Sequence, residues 1–359
     1  MICAGDFLLR GRIIPKNPGK IVKIFFWGVA MKILFYDSKP YDEASFNSLL
    51  ADFPGIEIDY IQPDLSAQTV RLAQGYDAVC LFVASEVNGD IIRSLKAFGV
   101  KLILMRCAGV NNVDIPAARE QDIRVLRVPA YSPEAIAEHA AALAFAVNRR
   151  LHKAYIRVRE NNFSLAGLTG FNFNGKTAGI VGTGRIGAAM AKICSGLGMR
   201  VIAYDKYPRT DIDYIEYVTR DELYQRSDLI SLHCPLTEES YHMINLEAIN
   251  RMKPGVILVN TSRGALISTE DLIKGIRSHK FSGVGLDVYE EETPNVFENR
   301  EDDILESSVT ARLLSFPNVI VTSHQGFLTA EALEAIAKTT LENASAFMSG
   351  RILKENTVT

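Results

Sequence analysis

The chain has 359 residues, 48% of them apolar and 23% charged, with a formal net charge of −3. That length suggests two domains, and the balance describes a globular protein without the basic footprint of a nucleic-acid binder. Five cysteines (Cys3, Cys80, Cys107, Cys194, Cys234) are too scattered for a zinc site or a disulfide framework, and six histidines form no metal cluster. No metal is expected, and reduced thiols fit a cytoplasmic setting.

The N-terminal stretch contains the apolar run IFFWGVAM at 24–31. It is far shorter than the ~20 residues a membrane span needs. A basic segment precedes it, as in a secretory signal, but no A-x-A-like cleavage site follows cleanly. Residues 1–30 are expected to be a tail outside the fold, with no membrane role. A good strand begins at Met31.

From there strand and helix alternate. Apolar runs at 32–37, 56–61, 77–83, 101–107 and 123–129 predict strands, and 41–52, 66–74, 88–99 and 114–121 predict helices. Such alternation means a parallel sheet covered by helices. Ser132 and Pro133 then open a helical pattern that runs to Asn161. Its length suits an element bridging two domains, and its Ala-rich face suits a dimer surface. A second series follows, with strands at 177–181, 200–205, 214–218, 229–236, 256–262, 283–289 and 319–324. Helices are predicted at 219–227, 245–252, 268–278 and 329–350, and the acidic stretch 290–308 reads as a solvated excursion. The expected fold is α/β, with two doubly wound parallel sheets. A flavodoxin-like substrate domain comprises 31–130 and 326–359, and a Rossmann-type dinucleotide domain comprises 131–325.

The strongest local signal is TAGIVGTGRIG, 177–187. A strand ends at Gly182, and the pattern Gly182-x-Gly184-x-x-Gly187 opens a helix. Glycines there permit a tight turn and close approach of a pyrophosphate, which the helix N-terminus attracts. The next strand ends in Asp205, an acid placed to accept ribose hydroxyls. Strand, turn, helix and acid agree on a dinucleotide site. An acid at that position repels a 2′-phosphate, so NAD is favoured over NADP. Lys206 and Tyr207 follow it and weaken the argument slightly.

Three further residues end strands of the second series: Arg263 in VNTSRGAL, Asp287 in GLDVYEEE and His324 in VIVTSH. Each has a bland reading: a surface arginine, a solvated acid, a structural histidine. Together they change the odds, because doubly wound sheets bind ligands at the carboxyl ends of their strands. An arginine can hold a carboxylate, a histidine can move a proton and an acid can keep it charged.

The order VGTGRIG, HCPL, NTSRGAL, GLDVYE and a late histidine resembles the D-isomer-specific 2-hydroxyacid dehydrogenases. The resemblance runs from about Met31 to the end. RCAGVNNVD, VPAYSPEAIAEHA, NFSLAGLTGF and HQGFLTAEAL look most like the fermentative bacterial branch that reduces pyruvate to D-lactate. It implies Arg263 on the substrate carboxylate and carbonyl, His324 as acid/base and Glu292 orienting and charging that histidine. It also implies carboxylate binding at the Ala108 and Gly109 amides, with Tyr131 and Phe327 beside the substrate methyl. Around NAD it implies Arg185 and Ile186 at the pyrophosphate turn, Asp205 at the ribose, and Cys234, Pro235, Thr261, Ser262 and Asp287 near the nicotinamide. Homo-oligomers, dimers or tetramers, are expected from the same likeness. A larger 2-keto acid as substrate, or an NAD(H)-sensing corepressor-like role, are the alternatives.

Overall fold

A computed structural model describes residues 30–292, 297, 308–351 and 353–359. The expected tail, up to residue 29, lies outside the described residues, as does most of the acidic stretch 290–308. Among the described residues no helix is long and apolar enough to cross a membrane.

The first sheet has five parallel strands: β1 Met31–Phe35, β2 Ile56–Tyr60, β3 Ala78–Leu81, β4 Leu102–Met105 and β5 Arg124–Arg127. Their spatial order is β2-β1-β3-β4-β5. The second has seven: β6 Thr177–Val181, β7 Arg200–Tyr204, β8 Ile215–Tyr217, β9 Leu229–Leu232, β10 Val256–Asn260, β11 Phe281–Leu286 and β12 Val319–Val321. These lie in the order β12-β11-β10-β9-β6-β7-β8, again all parallel. Both orders reverse direction once, at β1/β3 and at β6/β9. A reversal opens a crevice at the carboxyl edge, where such sheets bind ligands.

Central strands β3, β4, β9 and β10 are buried at every position, which explains their unbroken apolar runs. The C-terminal helix Ala330–Met348 returns to pack on helix Pro40–Leu49 and on β4 and β5. Beyond it, Thr357 bridges antiparallel to Leu126, so the chain end lies along the free edge of β5.

Two helical expectations change. The pattern from Ser132 forms two helices, Pro133–Asn148 and Leu151–Arg159, not one. Arg150 takes a left-handed φ of 49°, and Asn148 turns its side chain to bond Phe171 through both backbone groups. The first helix is buried by its own sheet and by helix Arg185–Gly196, so it offers little surface to a partner. Phe145 is its one large exposed apolar side chain, and others follow at Leu151, Tyr155, Ile156, Val158, Phe163 and Leu165. The second change is at 66–74, where only a 3-10 turn, Val70–Ala73, forms. Thr69 explains it: its hydroxyl bonds the Asp64 carbonyl and accepts the Ser66 amide, which competes with helix.

Helix Pro133–Asn148 lies against β11 because that strand alternates glycine. A Cβ on Gly283 would stand 2.7 Å from Val147 Cβ, and one on Gly285 2.9 Å from Leu143 Cβ. Gly283→Ala should therefore destabilise the fold by about 1–3 kcal/mol through overpacking. An unchanged urea midpoint for Gly283→Ala would contradict this packing.

Candidate active site

Most residues singled out in the sequence follow the carboxyl ends of strands, and the two sheets meet where Gly109 faces Arg263. At the end of β12 the backbone of His324 is left-handed, with φ 50°. A non-glycine residue in that region is strained and must be held by its surroundings. Asp287, at the end of β11, supplies the hold. Its backbone carbonyl accepts the His324 amide at 2.9 Å. Its carboxylate accepts the amides of Gln325 and Gly326 at 2.9 and 2.8 Å, and the Thr322 hydroxyl at 2.5 Å. His139, on the helix Pro133–Asn148, reaches the same oxygen at 3.2 Å.

Only 2% of Asp287 is exposed. Burial by itself raises its pKa; the bonds from His139, Thr322 and Gly326 outweigh that and leave it below the ordinary value. Its carboxylate is thus committed to the chain itself, at the strand end where a nicotinamide neighbour was expected.

The His324 ring pairs through Nδ1 with Glu292 Oε1 at 3.2 Å. Nε2 is left as the second nitrogen. The other Glu292 oxygen accepts the Tyr289 amide at 3.3 Å, which fixes the carboxylate in the turn after β11.

Arg263 follows β10. Its Nη1 donates to the Ser262 carbonyl at 2.7 Å, and no ion pair among the described residues involves it. Across the cleft, a Cβ on Gly109 would lie 2.9 Å from Arg263 Nη2. The Ala108–Gly109 turn of the first sheet therefore meets the guanidinium of the second, and a side chain at 109 would have to displace Arg263 from the turn. Behind it, Arg127 donates from Nη1 to the Ala108 carbonyl at 2.9 Å. Arg106 is 2% exposed, lies between the rings of Phe35 and Phe82, and pairs with Asp37 and Asp42 at 3.8 and 3.5 Å.

Aromatic side chains close the cleft. Phe327 contacts Tyr41, Phe82 and Phe297 at ring separations of 5.5–6.5 Å, and the Phe297 ring lies 6.3 Å from that of His324. Tyr131 is held nearby: burial is the main cause raising its phenol to about 12, Cys107 adds to it, and Arg263 opposes it. Sequence reasoning missed Tyr41, Phe82, Phe297, Arg106 and Arg127. Each lies in the first half or in the acidic stretch; Arg106 opens RCAGVNNVD but was given no role, and the others have no motif spacing to mark them.

The dinucleotide signal lands on a cavity of about 1230 Å³, lined by Gly182, Gly184, Asp205, His233, Cys234 and Pro235 among others. A Cβ on Gly182 would come within 2.7 Å of the Cys234 amide, and one on Gly187 within 1.8 Å of the Gly182 carbonyl. Gly184 has open space in front of it, as close backbone approach of a pyrophosphate requires. Arg185 and Ile186 start the helix Arg185–Gly196. Asp205 accepts the Thr183 amide and hydroxyl at 2.5 and 3.0 Å and the Tyr207 amide at 2.8 Å. Ser262 braces the far wall by donating to the Cys234 carbonyl at 2.7 Å. Thr261 Oγ1 and His233 Nδ1 are buried without a partner among the described residues. Buried polar atoms of that kind suit a ligand with polar groups of its own, so the residues present fit a dinucleotide.

The D-isomer specific 2-hydroxyacid dehydrogenase NAD binding domain model matches residues 141–326. This chain belongs to that family. The D-lactate dehydrogenase of Escherichia coli is 47% identical over 89% of this chain and 98% of its own length. The apo-structure of that enzyme superposes with a TM-score of 0.84 over 92% of this chain and 100% of the other. The pyruvate reductase of Chlamydomonas reinhardtii superposes at 0.86, with 40% identity over 91% of this chain and 98% of that one. A D-lactate dehydrogenase from Aquifex aeolicus, complexed with NAD and lactic acid, gives 0.80 at 33% identity over 91% and 98%. The protein is an NAD-dependent oxidoreductase with a Rossmann cofactor fold.

His233 gives a testable consequence. Its Nε2 lies 2.8 Å from Ser231 Oγ, and desolvation pushes its pKa down to about 4. As pH falls from about 6.5 to about 4, unfolded chains bind a proton that the folded chain refuses. The stabilisation is complete above that window and lost within it, by at most about 1.4 kcal/mol per pH unit. His233→Gln should flatten the fall in urea midpoint between pH 7 and pH 5. An identical slope in the variant would contradict the assignment.

Proposed function

We propose that the protein reduces pyruvate to D-lactate with NADH, in a cytoplasmic, fermentative setting. The observation that carries this reading is the meeting of Arg263, which has no ion-pair partner among the described residues, with the Ala108–Gly109 turn; the His324–Glu292 pair supplies the acid/base from the same sheet as Arg263. A planar cation and a backbone turn make a seat for a small carboxylate.

In this reading the Ala108 and Gly109 amides and Arg263 receive the pyruvate carboxylate. Arg263 also reaches the carbonyl oxygen and stabilises the negative charge that grows there. NADH, when bound, supplies the hydride that forms the new C–H bond at the keto carbon. The carbonyl π electrons move to oxygen, and His324 donates a proton to it from Nε2. Glu292, paired with Nδ1, orients the ring so that Nε2 faces the substrate. Arg185 and Ile186 face the pyrophosphate, Asp205 the ribose, and Cys234, Pro235, Thr261, Ser262 and Asp287 the nicotinamide side. Tyr131 and Phe327 border the methyl group, and the rings of Tyr41, Phe82 and Phe297 around Phe327 support an apolar wall there.

The units 31–130 with 326–359 and 131–325 are the two domains of this proposal; their closure would exclude water before hydride transfer. Exposed apolar side chains from Leu151 to Leu165 support a homo-oligomer, dimer or tetramer, because contiguous patches of that kind mark interaction sites.

A rate panel across 2-keto acids at fixed NADH tests the substrate. Pyruvate should lead, with phenylpyruvate and 2-ketoisocaproate well behind; equal rates for the larger acids would overturn the small-pocket reading. His324→Gln should lower turnover by about 10²- to 10⁴-fold while NADH still binds. Unchanged turnover removes His324 from the mechanism. Arg263→Lys should raise the pyruvate KM at least about tenfold, since a point charge cannot replace a fork. A normal KM in that variant contradicts its role.

A further inference from the structure

The wall of the cofactor cavity carries an ion pair that the proposed reaction does not use. Lys206 follows Asp205 directly, and its Nζ reaches both carboxylate oxygens of Glu239, at 3.0 and 2.9 Å. Both residues line the cavity, together with Asp205, Arg220, Asp221 and Glu238. Four carboxylates therefore stand against two cations along this wall. Asp221 is itself paired outward, with Arg251 at 2.5 Å.

A lysine next to the ribose acid is an ambiguous feature. Free, it offers a cation to a 2′-phosphate and works against the exclusion that Asp205 provides. Occupied by Glu239, it offers none. We propose that Glu239 is a specificity residue for the cofactor, holding Lys206 away from a 2′-phosphate so that the wall stays acidic and NADPH is rejected.

The pair is exposed, at 59% for Lys206 and 74% for Glu239, so it contributes little to folding. Its consequence is local charge. An incoming phosphate must displace Glu239 from Lys206 and then face the displaced carboxylate as well as Asp205. Changing one unit charge several ångströms from a dianion, in water-like surroundings, alters affinity about tenfold at low salt. Asp205 cannot be released in the same way. Its oxygens already accept from Thr183 and Tyr207, so its charge stays fixed at the mouth.

The inference rests on this cavity being the cofactor site, and NADH titration of the unchanged protein reads that assignment separately. Calorimetric titrations of NADH and NADPH at low ionic strength test the inference on four proteins: the unchanged chain, Asp205→Asn, Asp205→Asn with Glu239→Gln, and that double variant with Lys206→Met. Adding Glu239→Gln should lower the ratio of the NADPH to the NADH dissociation constant about tenfold beyond Asp205→Asn alone. Lys206→Met should abolish that gain. No change in the ratio on adding Glu239→Gln would overturn the proposal. So would a gain that survives Lys206→Met, since Lys206 would then not be the released group.

Discussion

A buried carboxylate holds this site together. Asp287 is almost wholly enclosed, and its oxygens accept bonds from three parts of the chain: His139 on the helix joining the two sheets, Thr322 at the exit of β12, and the amides that follow His324. A buried charge without partners is costly, so these bonds form together or the structure does not close there. Their joint effect is to pin His324 in a left-handed backbone that it would not adopt alone. The proposed acid/base therefore owes its position to an acid five residues before the one it pairs with.

The second constraint is the approach of the two sheets. Each provides half of the proposed substrate seat: the Ala108–Gly109 turn from one, Arg263 from the other. Neither half suffices, since the turn lacks a charge and the arginine lacks a floor. The cradle is supported from behind by Arg127 and Arg106, which tie the turn to β5 and to the loop after β1. The return of the C-terminal helix and of the chain end to the first sheet fixes β5 in turn.

Much of this was legible in the sequence. The alternation of apolar runs with helical patterns predicted both parallel sheets, because strands buried on both faces must be apolar throughout. The glycine turn, Asp205, Arg263 and His324 were legible for a related reason: ligand sites fall at strand ends, and strand ends are visible as places where an apolar run stops; Glu292, in an acidic run, was marked only by the family resemblance. What escaped was set by tertiary contact. The break at Arg150 comes from Asn148 bonding Phe171, some twenty residues away, which no helical periodicity records. The missing helix at 66–74 reflects the Thr69 hydroxyl taking a local backbone bond. Phe297 and Arg127 carried no signal at all, since an aromatic residue in an acidic stretch and an arginine in a strand are ordinary until the fold places them. The pairing of Lys206 with Glu239 joins residues 33 positions apart and turns an ambiguous cation into a neutralised one.

The most direct test of the whole account is enantiomer-resolved product analysis: pyruvate and NADH are incubated with the purified protein, and the lactate formed is separated into its two forms. The account predicts NADH consumption matched by D-lactate alone. L-lactate as product, or NADH bound without turnover of pyruvate, would contradict it.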